Sequence, residues 1–453
     1  MDFLHTLFYF VVTIGILVSF HELGHFWVAR KVGVKVIRFS VGFGKVLWSY
    51  RKNPHATEYV LSAIPLGGYV KMVDEREGEV QKEDLAFAFN RQPLWARTVI
   101  VAAGPVFNLA LAVALFWSIL VIGETGIKPI IGEVSKGTLA ATGGFVEGDQ
   151  IISVNDRLTP TWTEAMSVIM ASALDGNQVI NITVANFDNQ QSDRFLKITE
   201  DDIQNPEVLY KQIGFKPWSP KLKPVIGAVL PESSALTAGL LKGDLIVSAD
   251  GVAITNWMQW VAIVKTHPNV VINLIIDRDG VQLPVTITPK SVQIEQKTEG
   301  KIGASVLVPE DLIKSSTVEY SLSPLAAIPA AFETTWYYSS ATLKMMGRML
   351  IGQASVKNLS GPISIAEYAG QSAEMGLVPF LKFMALVSVS LGVLNLLPVP
   401  VLDGGHLLFF VLEGIKGSPV SEKIQVFFQQ VGMALLMSLM ALAMFLDVQR
   451  LFH

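Results

Sequence analysis

Apolar positions gather into four runs that contain no Asp, Glu, Lys or Arg: residues 3–20, 98–123, 383–402 and 426–446. A helix needs about 20 residues to cross a hydrocarbon core of about 30 Å, so each run is long enough to span a membrane. The pattern predicts a polytopic α-helical membrane protein with four transmembrane helices, at residues 1–30, 98–123, 376–403 and 426–447. No Lys or Arg precedes the first apolar core and its unusual residues lie at its far end, so it is expected to be retained, not cleaved as a signal peptide. Residues 404–425 are expected to be a short loop. The period changes between the second and third spans, where short alternating strands are punctuated by glycine. Residues 301–375 are less regular, although Ala326 to Leu350 reads as a partly amphipathic helix suited to the outer membrane surface or to bracing the glycine-punctuated segment before it.

The segment between spans two and three holds an internal repeat. KPIIGEV at 128–134 returns as KPVIGAV at 223–229, and AATGGFVEGDQIISVND at 140–156 returns as ALTAGLLKGDLIVSADG at 235–251, an offset of 95 residues without a gap. Trp162 and Trp257 keep the same register. Each copy reads as a strand, a small helix ending at glycine, a Gly-Asp turn and a second strand. This resembles the PDZ domain, which implies two tandem β-rich domains at 124–220 and 221–300. The resemblance also implies that extended peptide ends add to a sheet edge. A structural spacer that binds nothing is the alternative.

Charge adds orientation. The chain is 51% hydrophobic and 16% charged, with a net charge of -4, so no basic surface points to nucleic acid. Basic residues crowd the segment after the first span, from Arg30 and Lys31 to Arg91 and Arg97, and are sparse around the long segment after the second. By the positive-inside rule residues 31–97 face the cytoplasm and the repeat faces outside. Cysteine is absent, which excludes disulfides.

The candidate chemistry is at the end of the first span, in HELGH at 21–25. Ionisable groups at membrane depth are costly and by default mark function. His21 and His25 are four residues apart, so on a helix both imidazoles reach one ion, and Glu22 beside them is placed to take a proton from an activated water. That is the donor set of a zinc hydrolase, and it needs a third ligand. Asp403, at the same membrane depth near the end of the third span, is the expected one, with His406 as its rival. Pro398 and Pro400 must break the helix just before it. Asn395, an amide within an apolar run, suits either substrate orientation or an interhelical hydrogen bond. VKVIRFSVGFGKVLWSY and TEYVLSAIPLGGYVKM read as the strands of a membrane-associated hairpin.

With HELGH, AGPVFN at 103–108 and NLLPVPVLDGG at 395–405, the chain resembles the site-2 protease family of intramembrane zinc metalloproteases, in its RseP-type branch (regulator of sigma-E protease). GFGKVL at 42–47, FNRQPLWAR at 89–97 and the tandem repeat extend the likeness over nearly the whole chain. The resemblance implies a Zn2+ site of His21, His25 and Asp403, Glu22 as general base, Asn395 as a substrate-positioning residue, and Gly42, Phe43 and Gly44 in a substrate-contacting hairpin. It further implies a bacterial inner-membrane location, an active site near the cytoplasmic side, and regulated proteolysis in the envelope stress response. Its substrates would be single-span membrane proteins in the lipid bilayer, such as a trimmed anti-sigma factor or remnant signal peptides. Two readings without proteolysis remain: a membrane scaffold or chaperone, and a metal transporter.

Overall fold

In a computed structural model, helices of membrane-crossing length and apolarity form at all four predicted positions. Residues 3–451 are described, apart from 54, 77, 176, 200–205, 295–296 and 352–360. The chain divides into two compact units, one made of the residues up to Glu124 and from Tyr320 onward, the other Thr125–Glu319.

The first unit begins with α1 (Phe3–Lys31), which carries HELGH in its last third. Two long strands follow, β1 (Val36–Tyr50) and β2 (Glu58–Met72). Both fold on themselves. Ser40 is paired with Tyr69 on one side and Val60 on the other, and Val60 in turn pairs with Ser49. The two strands thus make four short runs, with residues 68–72 at one edge. The bend in β1 falls at Gly42 and Gly44, at φ 92° and 83°, a backbone region that costs glycine nothing. Phe43 between them is exposed and stacks on Tyr69.

Next come α2 (Leu94–Ile122), α3 (Pro324–Leu350), α4 (Pro362–Glu374), α5 (Leu377–Leu396), α6 (Asp403–Lys416) and α7 (Glu422–Leu451). Helices α2 and α5 share an apolar core that includes Ala112, Phe116, Ala385 and Val389. Helix α5 ends at Leu396 because Pro398 pushes Leu397 into extended geometry, at φ -67° and ψ 145°. The chain then turns through Val401, a β-branched residue held at φ 102°. Two expectations are corrected here. Asp403 does not end the third span but opens a new helix, and residues 404–425, expected as a loop, are helical through Lys416. Gly404 and Gly405 sit inside α6's first turn because the preceding segment folds back over it; a Cβ on Gly405 would meet the Val399 carbonyl at 2.6 Å.

In the second unit the sequence repeat becomes a structural one. Each copy has a four-stranded sheet in which the second strand of its chain order lies at one edge. The first copy uses Gln150–Val154, Arg157–Leu158, Val179–Ala185 and Gln191–Lys197; the second uses Leu245–Ala249, Val252–Ala253, Ile272–Arg278 and Val281–Ile287. Helices Trp162–Leu174 and Trp257–Thr266 occupy the same place in each and are capped by Thr161 and Asn256. The repeated Asp149 and Asp244 accept backbone hydrogen bonds from Val146 and Leu241 at the Gly-Asp turn. The second copy reaches past the expected boundary at 300, since Ala304–Val306 pairs with Ile226–Val229.

Candidate metal centre

One turn of α1 presents His21 and His25 on the face turned to α2, with their Nε2 atoms 3.2 Å apart. Asp403, at the first turn of α6, brings Oδ2 to 3.1 Å from His21 Nε2 and 3.5 Å from His25 Nε2. Among the described residues these three form a cluster with metal-ligand geometry, their ligand atoms all within 4.8 Å of one another. Asp403 Oδ2 is buried and accepts no hydrogen bond. An unsatisfied carboxylate oxygen facing two imidazole nitrogens is costly unless a cation sits between them. His25 Nδ1 lies 2.8 Å from the Ile100 carbonyl and can only donate to it, which leaves Nε2 with its lone pair toward the cluster. The donor set of two imidazoles and one carboxylate, with room for a fourth ligand, fits a catalytic zinc.

Helix α2 makes the close packing possible. A Cβ on Gly104 would fall 2.7 Å from His21 Nε2 and closer still to His25 Nε2, and one on Gly24 would meet the Ala103 carbonyl at 2.5 Å. Gly104 thus lets the backbone of α2 approach both histidine rings closely. At the foot of α2, Arg97 makes a forked ion pair with Glu413 of α6, one arm at 3.2 Å, and so holds the helix that carries Asp403. The sequence signal for Gly104 is its place in AGPVFN, one helical turn before Asn108, which reads equally well as a loosened or kinked span, and Arg97 reads only as a flanking basic residue.

Glu22 shares with His25 and Asp403 a cavity of about 600 Å3, whose wall also includes Arg76, His406 and Gln429. His406 is therefore close to the centre but outside the ligand cluster. The edge run of β2 comes up beside Glu22: a Cβ on Gly68 would sit 2.8 Å from Glu22 Cγ, and the Val70 backbone amide faces the carboxylate. Asn395 is half-buried in the last turn of α5, on the stripe with Ser388 and Gly392 that faces α2, and is not brought into the cluster. Gly42, Phe43 and Gly44 belong to the same hairpin as Gly68 but lie at its bend.

A model of peptidase family M50 matches residues 9–439. The chain is 42% identical to the regulator of sigma-E protease RseP of Salmonella typhimurium (strain 14028s / SGSC 2262), covering 98% of each chain. It is 42% identical to the protein of the same name from Escherichia coli (strain K12) over the full length of both. A putative zinc metalloprotease of Vibrio cholerae serotype O1 is 38% identical, over 99% of this chain and all of the relative.

Proposed function

The chain belongs to peptidase family M50, the site-2 proteases, and from that premise we propose that it cuts the transmembrane segment of single-span substrates at His21, Glu22, His25 and Asp403. The observation that carries this reading is Glu22 opening into the same cavity as two members of the ligand cluster. Zinc, when bound there, supplies a Lewis acid that acidifies water and polarises a carbonyl. His21, His25 and Asp403 hold it. Glu22 takes the proton of the attacking water and delivers it to the departing amide nitrogen. Asn395 orients the substrate carbonyl.

A transmembrane helix hides its peptide bonds, so the substrate must be unwound first. Residues 68–72 are unpaired on one side among the described residues, and an unwound segment added there would pass directly beside Glu22. Gly42, Phe43 and Gly44 bend the hairpin and present Phe43 to the incoming chain.

The membrane is a bacterial inner membrane, with residues 31–97 and the metal centre toward the cytoplasm and the repeat outside. The two copies act as tandem PDZ domains. In the second, a cavity of about 310 Å3 lined by Leu230, Trp257, Trp260, Val264 and Ile302 suits the apolar end of a peptide. Together they admit substrates already trimmed on the outer side, in keeping with the sigma-E regulators among the relatives: a trimmed anti-sigma factor and remnant signal peptides.

The test compares the purified wild type with Glu22→Gln in detergent on a single-span substrate, with bound zinc counted in both. Wild type is expected to cut and the variant to keep its zinc while losing at least about a hundredfold in rate. Equal cutting by the two would overturn Glu22 as the base.

A further inference from the structure

Nδ1 of His21, the ring nitrogen turned away from the cluster, points at a residue to which no role has been assigned. Asn108 lies on α2 one turn beyond Gly104 and two turns beyond Ile100, on the same helix face. It is 1% exposed, and its carbonyl accepts a hydrogen bond of 2.7 Å from Ser388 of α5, which fixes this part of α2. Its side-chain nitrogen stands 3.2 Å from His21 Nδ1, and its Oδ1, also buried, has no partner.

His21 can offer Nε2 to a metal only if its proton is on Nδ1. A nitrogen-bound donor of Asn108 would then face a second donor. The oxygen and nitrogen of an amide have almost the same shape, so their assignment follows from the hydrogen bonds they make. One amide atom of Asn108 lacks a protein partner in either orientation, so the contact with His21 decides. We propose that Asn108 is a positioning residue of the metal centre, whose amide oxygen accepts the Nδ1 proton of His21 and keeps Nε2 turned to the metal.

Ile100, Gly104 and Asn108 then act as one device. The Ile100 carbonyl sets His25, Gly104 leaves space for both rings, and Asn108 sets His21. Such outer partners typically change metal affinity by roughly 10- to 100-fold. The inference rests on His21 being a ligand.

The experiment uses the full chain in detergent, loaded with zinc and dialysed against graded chelator, with thermal unfolding as the check on folding. Asn108→Ala is expected to release zinc at roughly 10- to 100-fold lower chelator strength than wild type. Asn108→Asp, which offers only acceptors, is expected to hold zinc within a few-fold of wild type or tighter. Wild-type retention by Asn108→Ala, or equal loss by Asn108→Asp and Asn108→Ala, overturns the proposal. Should Asn108→Ala not fold, tenfold weaker retention by Asn108→Asp alone overturns it. His21→Ala separates the two levels: if it keeps zinc at wild-type strength, the ligand assignment fails, and with it the ground for Asn108. If it loses zinc while Asn108→Ala does not, only the role of Asn108 falls.

Discussion

Asp403 Oδ2 is 3.1 Å from His21 Nε2, a contact that closes the cluster only because α6 begins where α5 has been broken by proline. In the proposed role of zinc ligand, Asp403 acts through its charge and not its bulk. Asp403→Asn keeps the shape and removes the charge, so zinc per chain is expected to fall well below one. Unfolding in the absence of metal should change by less than about 1 kcal/mol, since the buried Oδ2 of the wild-type carboxylate has no hydrogen bond to lose. Metal analysis with a metal-free melting curve measures both, and full zinc occupancy in the variant would remove Asp403 from the ligand set.

Gly104 offers a sharper steric test. Helix propensity alone would make Gly104→Ala favourable by about 1 kcal/mol, yet its Cβ would press on both histidine rings. The steric effect should win: the rings must rotate or α1 must move off α2, and either separates the ligands. Loss of zinc and of cleavage, with helical content retained, is the expected result. A variant that binds zinc and cuts normally would show that the two helices have slack at this point.

How much of this could be read in advance depends on the range of each signal. Helical spacing placed His21 and His25 on one face, and the apolar runs placed four spans, because both are local patterns. The partnership with Asp403 was legible only through the matching depth of two spans. The packing of α2 against the rings was not legible, since a glycine in a span can equally mean a kink. Nor was the helix that begins at Asp403: Asp-Gly-Gly reads as a turn, and only the fold-back of residues 397–402 explains glycines at two helical positions. The hairpin was foreseen at Gly42 to Gly44, whereas the run beside Glu22 is Gly68 to Val70, a proximity set by tertiary packing.

Asp447 is a buried carboxylate in α7 that no sequence pattern singled out. It accepts backbone hydrogen bonds from Gly361, Ile363 and Ser364 at 3.0 to 3.1 Å and a hydroxyl bond from Ser364 at 2.6 Å. It therefore caps α4 from a different helix. Asp447→Ala leaves those donors without their partner and is expected to loosen α4 by about 2 kcal/mol or more. The chain lacks cysteine, so Ala369→Cys, at a fully buried site on α4, reports the change without background. Its alkylation should speed up by about tenfold or more in the Asp447→Ala background; an unchanged rate would mean that apolar packing alone holds α4.

In the second copy of the repeat, Asp244 is 1% exposed at the carboxylate side chain and is held by a forked pair with Arg278, both arms at 2.7 to 2.8 Å. Burial alone would raise the carboxyl, but the Arg278 bonds and the Leu241 amide outweigh it and hold the pKa below the usual 3.8. A depressed native pKa stabilises the fold above the unfolded value, and the contribution is lost as pH falls through the native one. Arg278→Ala removes the counterweight, so burial then favours the neutral acid and the sign reverses. Hydrogen exchange in Ile272–Arg278 is expected to be several-fold faster in the variant at pH 7, with the difference from wild type shrinking as pH is lowered toward 4. A difference that stayed constant over that range would mean that Arg278 acts by packing its stem and not by its charge.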